Sequence, residues 1–167
     1  MLKKLFSVIA VAMLFVSCKK TPANSGCPYT ATTAVAPASE ITSVQAYVNA
    51  NHPAAIQHSS GVFYEITAAG TGATPTDCSL ITVKYTGTLT NGAKFDENLT
   101  GYSNYLGGLI LGWRRALPLI KAGGSISLYI PPSLGYGNQD TRDPQTGAIL
   151  IPANSIIIFT IQLIAVQ

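Results

Sequence analysis

The chain has 167 residues, of which 47% are hydrophobic and 10% are charged, and its formal net charge is +3 at pH 7. This composition is typical of one compact domain with a real core. The charge is too small to neutralise a row of phosphates, so it gives nucleic-acid binding no support.

The first residues are typical of an export signal. Lys3 and Lys4 precede an apolar run over residues 5–16, which one serine interrupts. The run is shorter than the roughly 20 apolar residues that span a bilayer, so residues 1–17 are interpreted as a signal peptide. The sequence ending in Ser17-Cys18 resembles the bacterial lipobox, which predicts a lipidated Cys18. The alternative is an ordinary cleaved signal followed by an incidental cysteine.

Three further segments follow this signal. Residues 18–38 are rich in Thr, Ala, Pro, Ser and Gly, a composition that predicts a lipidated flexible tether. Residues 39–60 are predicted to form a short helix, capped by Ser39 and stopped by Pro53, and a linker. Residues 61–167 are predicted to form the main domain.

Two cysteines remain for the mature chain. In an oxidising compartment Cys27 and Cys78 are a candidate disulfide, and closing a loop of about 50 residues stabilises by roughly 4 kcal/mol in the chain-entropy account. The alternative is two separate buried thiols. His52 and His58 form no ligand cluster with either cysteine, so no metal site is predicted.

The main domain has the pattern of an α+β fold. Strands are predicted at residues 62–67, 80–89, 125–130 and 156–166, and Asn91-Gly92 is a strong hairpin signal. A single helix is predicted within the domain, over about residues 111–117. A twisted antiparallel sheet needs cover on its apolar face, and this helix is the expected cover.

Several kinds of catalytic chemistry lack their parts. The sequence has no Gly-x-Ser-x-Gly motif, no histidine after Gly61 and no base near Cys78. Nucleophilic, metal-assisted and general acid–base reactions are therefore not predicted, and neither is a cofactor. If this domain is an enzyme, its reaction needs few proton transfers.

A series of short motifs with aromatic residues runs through the domain. Taken singly, each aromatic residue is more often part of a core. Together the motifs occur in one order: Val83-Lys84-Tyr85-Thr86-Gly87, Gly92-x-x-Phe95-Asp96, Leu109-Ile110-x-Gly112-Trp113, Ile130-Pro131, Gly135-Tyr136-Gly137, Ile151-Pro152 and Phe159. This order and spacing resembles the FKBP-type peptidyl-prolyl isomerases over about residues 61–166. The signal, tether and short helix resemble the arrangement in envelope members of that family.

The resemblance implies a fold and a site. The fold is a twisted antiparallel sheet half-wrapped around one short helix, enclosing a shallow apolar pocket. Trp113 is then the pocket floor, with Tyr85, Phe95 and Phe159 as walls and Leu109, Ile110 and Ile151 at the rim. Tyr136 and the Ile110 amide are implied donors to substrate carbonyls, and Asp96 lies at the pocket edge. Tyr102 is the expected further wall, with Tyr105 as its rival.

The implied activity is rotation about X–Pro bonds in envelope proteins. The rotation barrier is about 18–20 kcal/mol because it breaks amide resonance. A dry aromatic pocket with fixed donors lowers that barrier by binding the twisted amide best, without a reactive group. The partners are proline-containing polypeptides, the membrane through the lipid and, by family resemblance, macrolide inhibitors.

Other interpretations stay open at this stage. One is a proline-peptide binding or chaperone module without useful turnover, and another is a structural lipoprotein that reuses the fold. Residues 138–150 form a loop that is longer than in the minimal family member. It either tunes substrate choice or is a solvated insertion.

Overall fold

A computed structural model describes residues 26–167 of the chain. The predicted signal peptide and Cys18 lie outside these residues. None of the helices within residues 26–167 is long and apolar enough to cross a bilayer.

The described chain is an antiparallel sheet with a helix on each face. The elements are α1 (Ala38–Asn51), β1 (Ile56–Gln57), β2 (Phe63–Ala68), β3 (Leu80–Leu89), β4 (Lys94–Tyr105), α2 (Leu111–Ala116), β5 (Ser125–Ile130), β6 (Thr141–Arg142), β7 (Ile149–Ile151) and β8 (Ile157–Val166). Six strands form the main sheet in the order β1-β2-β5-β8-β3-β4, and β6 pairs separately with β7. Every pairing is antiparallel. This confirms the predicted α+β class.

The hairpin between β3 and β4 turns where its sequence predicts. Gly92 has φ +84°, a left-handed conformation that glycine adopts without steric cost. Its amide donates to the Leu89 carbonyl, and the Leu89 amide donates to the Ala93 carbonyl, both at 2.9 Å. The turn therefore fixes where β4 begins, and with it the positions of Phe95 and Asp96.

The main core lies between the sheet and α2. Alternate strand residues such as Leu128, Ile157 and Ile161 are buried there, together with Trp113 and Ala116 from α2. Gly112 lets this short helix approach closely, since a Cβ there would lie 2.6 Å from Ile130 Cγ2. The concave side of the sheet is thus closed by the helix that carries the tryptophan.

A second apolar cluster lies on the opposite face of the sheet. Val44 and Val48 of α1 pack there against Phe63 and Tyr129, whose neighbours along their strands face the main core. The prediction that α2 covers an apolar face of the sheet is confirmed, and α1 covers the opposite face in addition. Pro37, with no side-chain hydrogen bond, occupies the position before α1, and Ser39 lies inside the helix, so the prediction of a Ser39 cap is wrong.

The described part of the predicted flexible tether is packed against the domain. Cys27 and Cys78 form a disulfide with Cα atoms 5.6 Å apart. The Ala36 amide donates to the Ser60 carbonyl at 2.9 Å, and Ala36 is buried. From Cys27 onward the segment is tied down by a covalent bond and by buried contacts, which its composition alone does not reveal.

Candidate active site

A cavity of about 140 Å³ opens on the concave side of the sheet. Its lining combines aromatic rings, two aliphatic side chains and one carboxylate: Tyr85, Asp96, Tyr102, Leu109, Ile110, Trp113, Tyr136 and Phe159. These residues come from β3, β4, the segment before α2, α2 itself, the loop after β5, and β8. The fold therefore gathers on one concavity residues that lie up to 74 positions apart in the sequence.

Strand register places the wall residues on one face. Gly87 of β3 pairs with Phe159 of β8 and with Asp96 of β4, and Val83 pairs with Tyr102. Directly paired residues point to the same side of a sheet, as do residues two apart on one strand. Because Tyr85 lies between Val83 and Gly87 at this spacing, the rings of Tyr85, Tyr102 and Phe159 share the cavity side.

A bulge in β4 changes the direction of Phe95. Gly87 pairs with Asp96 while Thr88 pairs with Lys94, so Phe95 is the extra, unpaired residue. Without the bulge, neighbours along a strand would point to opposite faces. Instead Phe95 lies on the same face as Asp96, and a Cβ on Gly87 would be 2.7 Å from Phe95 Cζ.

The rings meet edge to face around the tryptophan. The Trp113 ring centroid is 5.3 Å from that of Tyr85 and 5.0 Å from that of Phe159, with interplanar angles of 80° and 88°. Such pairs contribute about 0.5–1.5 kcal/mol each beyond area burial. The indole Nε1 is buried and has no hydrogen-bond partner among residues 26–167. The edge-to-face contacts with Tyr85 and Phe159 therefore hold Trp113 in place as the floor of the cavity.

Asp96 is held by a phenol. The Tyr85 hydroxyl donates a 2.8 Å hydrogen bond to Asp96 Oδ2. Burial, and next this hydrogen bond, raise the pKa of Tyr85. No ion pair within the described part of the chain includes Asp96. The sequence gives no basic partner for this carboxylate, and the structure supplies the tyrosine instead.

Tyr136 stands at the mouth of the cavity. It is 39% exposed, and its ring lies 6.1 Å from that of Phe95. Burial, followed by electrostatic interaction with the nearby Asp96 and Tyr102 side chains, raises the pKa of Tyr136. A phenol with a raised pKa keeps its proton at neutral pH, so the hydroxyl is a hydrogen-bond donor there.

Sequence reasoning missed a support for this tyrosine. Glu40 of α1 accepts hydrogen bonds from the Ser133 amide at 2.9 Å and the Ser133 hydroxyl at 2.7 Å, both at Oε2. Ser133 belongs to the 3-10 turn Pro132–Leu134, which is separated from Tyr136 by Gly135 alone. A glutamate in the first turn of a helix is an ordinary sequence feature, so nothing in the pattern identified this contact.

Two predicted site residues do not line the cavity. Phe95 stands behind the wall, where its ring packs 5.4 Å from that of Phe159. Ile151 ends β7 and is 3% exposed, and it packs in the main core. Its place at the rim stays a prediction, and Phe95 contacts the cavity wall through Phe159.

Of the two candidates for the further wall residue, Tyr102 lines the cavity and Tyr105 does not. The Tyr102 hydroxyl accepts a 2.8 Å hydrogen bond from Asn104 Nδ2. Tyr105 is 49% exposed and packs against Tyr29 on the outside of the domain.

Comparison with known proteins agrees with this architecture. The profile of the family described as FKBP-type peptidyl-prolyl cis-trans isomerase matches residues 72–164. The FKBP-type isomerase FkpA of Buchnera aphidicola (strain APS) is 43% identical over 111 residues, covering 65% of this chain and 43% of that protein. Outer membrane protein MIP of Legionella longbeachae is 35% identical over 122 residues, covering 71% of this chain and 50% of that protein.

A solved structure extends the similarity to three dimensions. The crystal structure of FkpA from Escherichia coli superposes with a TM-score of 0.65 at 35% identity, covering 78% of this chain and 60% of that one. The chain thus spans about half the length of these relatives or less in sequence. The matched residues contain every residue that lines the cavity. The chain belongs to the FKBP-type peptidyl-prolyl cis-trans isomerase family.

Proposed function

We propose that this protein catalyses cis/trans isomerisation of X–Pro peptide bonds. The observation that supports the proposal is the convergence of five aromatic side chains, Leu109 and Ile110 on one cavity with a single carboxylate, Asp96, at its wall. The uncatalysed exchange takes tens to hundreds of seconds, which leaves ample room for acceleration.

The floor and walls supply desolvation. A proline ring seated on Trp113, between Tyr85 and Phe159, loses the water that stabilises the polar resonance form of its amide. The planar ground state is then disfavoured relative to the twisted amide, which is differential binding of the transition state. The rigid edge-to-face packing of these rings keeps the pocket formed before substrate arrives.

Two donors face the substrate backbone in this proposal. One is the Tyr136 hydroxyl. The other is the Ile110 amide, which has no hydrogen-bond acceptor within residues 26–167 and belongs to a residue that lines the cavity. Asp96, oriented by Tyr85, biases the field across the rotating bond. Fixed dipoles of this kind stabilise charge redistribution without reorganising during the reaction.

Exchange of a short proline peptide tests the proposal. Purified residues 26–167 should accelerate the exchange. Tyr136→Phe should lower kcat/KM about 2- to 13-fold, since losing one hydrogen bond costs about 0.5–1.5 kcal/mol. Tyr136→Phe combined with Asp96→Ala should abolish most of the acceleration, as should a macrolide that occupies the cavity. The control is Tyr64→Phe, which removes a hydroxyl from a half-buried tyrosine outside the cavity.

Two outcomes separate the alternatives. No acceleration on several X–Pro peptides would refute the isomerase proposal. Measurable peptide affinity without turnover would instead identify a proline-peptide binding or chaperone module.

The proposed location is the cell envelope, with the chain exported by residues 1–17, lipidated at Cys18 and facing the periplasm or outer membrane. The apolar run and lipobox-like sequence support this proposal, as does the similarity to a protein named for the outer membrane. Clients are then proline-containing envelope proteins. Incorporation of labelled fatty acid into the full chain, and its loss in Cys18→Ser, is the expected result; equal labelling of both would contradict it.

A further inference from the structure

The segment from Cys27 to Ala36, here called the strap, is fastened beside α2. It begins at the Cys27–Cys78 disulfide. Arg114 and Arg115 of α2 then donate hydrogen bonds to its Thr30 and Thr32 carbonyls, each at 2.7 Å. Both arginines directly follow Trp113, so the strap is attached to the helix that carries the cavity floor.

The ring of Tyr29 lies directly on a pair of glycines. A Cβ on Gly107 would be 2.3 Å from Tyr29 Cγ, and a Cβ on Gly108 would be 3.0 Å from the Tyr29 hydroxyl oxygen. Gly107 is also held by Asp77, whose carbonyl accepts the Gly107 amide at 2.8 Å. The backbone at Gly107 is therefore contacted both by Tyr29 and by the residue next to Cys78.

These glycines lead into the cavity rim. Leu109 and Ile110, which follow immediately, both line the cavity, and the Ile110 amide is one of the two proposed donors. Two consecutive glycines have unusually wide conformational freedom. The direction of the Ile110 N–H thus depends on contacts that restrict Gly107 and Gly108, and Tyr29 supplies such a contact.

We infer that Tyr29 is a positioning residue for the substrate-binding rim, and that the Cys27–Cys78 disulfide keeps it seated. The inference deepens the proposed function and rests on it. The ring acts through the backbone of residues 107–110 and does not touch substrate. Loss of the Tyr29 ring should weaken binding of the peptide residues next to the proline. Trp113, Tyr136 and Asp96 are held by other contacts and should keep their positions.

Three variants and one reagent test this inference. Tyr29→Ala removes the ring, and Tyr29→Phe keeps it as the rescue variant. Tyr47→Ala is the matched control, because Tyr47 is also half-buried but packs in the second cluster on the far face of the sheet. Dithiothreitol transfers two electrons and two protons to the disulfide, which yields two thiols and the cyclic disulfide of the reagent.

The measurements are peptide KM and kcat, together with peptide titration followed by Trp113 emission. Trp113 is the only tryptophan in the chain, so its emission reports on the cavity alone. Misplacing binding groups by about 1 Å costs up to about 100-fold; because only the rim moves here, Tyr29→Ala should raise KM about tenfold and change kcat less than twofold. Tyr29→Phe and Tyr47→Ala should keep the wild-type KM.

Reducing the Cys27–Cys78 disulfide should raise the peptide KM of the wild-type chain as Tyr29→Ala does. In the Tyr29→Ala variant, reduction should change KM little further. Thermal unfolding is measured for each sample, so that only folded proteins are compared. If Tyr29→Ala does not fold, the reduced wild-type chain takes its place in the test. Wild-type KM and peptide affinity in Tyr29→Ala would overturn the inference. The titration needs no turnover, so a chain that binds peptide without isomerising it would refute the proposed function and still test the role of Tyr29.

Discussion

Adding one methyl group at Gly87 is expected to displace the wall of the cavity. Gly87 lies in β3 with no unusual backbone conformation, so alanine fits its dihedral angles. Its Cβ, however, would lie 2.7 Å from Phe95 Cζ and 2.8 Å from Phe159 Cε1, whereas ordinary contact begins near 3.4 Å. Each ring has to retreat by about 0.6–0.7 Å.

Two opposing effects set the magnitude. Replacing glycine by alanine inside a strand stabilises by about 0.5–1 kcal/mol because the unfolded chain has less freedom to lose. Overpacking a well-filled core costs about 1–3 kcal/mol. The clash involves two rings that are packed against further rings, so the cost of overpacking should exceed the gain from replacing glycine. Gly87→Ala should therefore lower the free energy of unfolding by about 1–2 kcal/mol.

Activity should fall further than stability suggests. Phe159 lines the cavity, and a displaced ring narrows it where a proline would sit. A shift of this size in a positioned group can cost about 10- to 100-fold, so we expect kcat/KM to drop by at least about tenfold. Urea unfolding and proline-peptide exchange are the two assays.

A second substitution provides the control. Phe95→Leu removes the ring atoms nearest to the new methyl group, so the double variant Gly87→Ala with Phe95→Leu should lose less stability than the two single variants summed. Strict additivity would show that the two side chains do not compete for the same space. Unchanged stability and activity in Gly87→Ala alone would refute the reasoning.

Three further predictions concern the disulfide, an ion pair and pH. Replacing Cys27 and Cys78 by serine should lower the free energy of unfolding by roughly 4 kcal/mol, because their separation is 51 residues; a loss below 1 kcal/mol in urea unfolding would contradict this. Asp77→Ala should cost about 3 kcal/mol because it strands the largely buried Arg114 guanidinium, whereas Glu97→Ala, in an exposed pair, should cost less than about 1 kcal/mol. The pKa values of Tyr85 and Tyr136 are raised above the usual value of about 10, so both phenols stay protonated at neutral pH. We therefore expect kcat/KM to be constant from about pH 7 to 10. A tyrosine-dependent decline centred below pH 10 would contradict the role of the Tyr136 hydroxyl as a donor.

Local patterns predict much of this molecule because they reflect local physics. The hairpin at Asn91-Gly92 and the strand at Leu80–Leu89 depend on turn geometry and alternation, which neighbouring residues determine. The order of aromatic motifs predicts the cavity through the family resemblance, which implies one shared pocket for rings from three strands, from α2 and from the loop after β5. Trp113, Tyr85 and Phe159 accordingly converge as the resemblance implies.

What sequence did not reveal depends on contacts distant in the chain. The packing of Tyr29 on Gly107 joins residues 78 positions apart, and the Glu40–Ser133 contact joins residues 93 positions apart. The composition of residues 18–38 predicts a flexible tether, and the candidate Cys27–Cys78 disulfide was the one sequence feature that indicated an anchor for it. The packing of Ile151 in the main core also depends on β7, a strand of three residues.

The bulge at Phe95 lets two consecutive residues of β4 face the same side of the sheet. Gly87 lies opposite both Phe95 and Asp96, so the strand presents a ring and a carboxylate to one face at adjacent positions. Deleting one of these two residues would restore regular alternation and leave only one of the two side chains on that face. Hairpins grafted from related proteins should therefore be compatible only when they keep this extra residue.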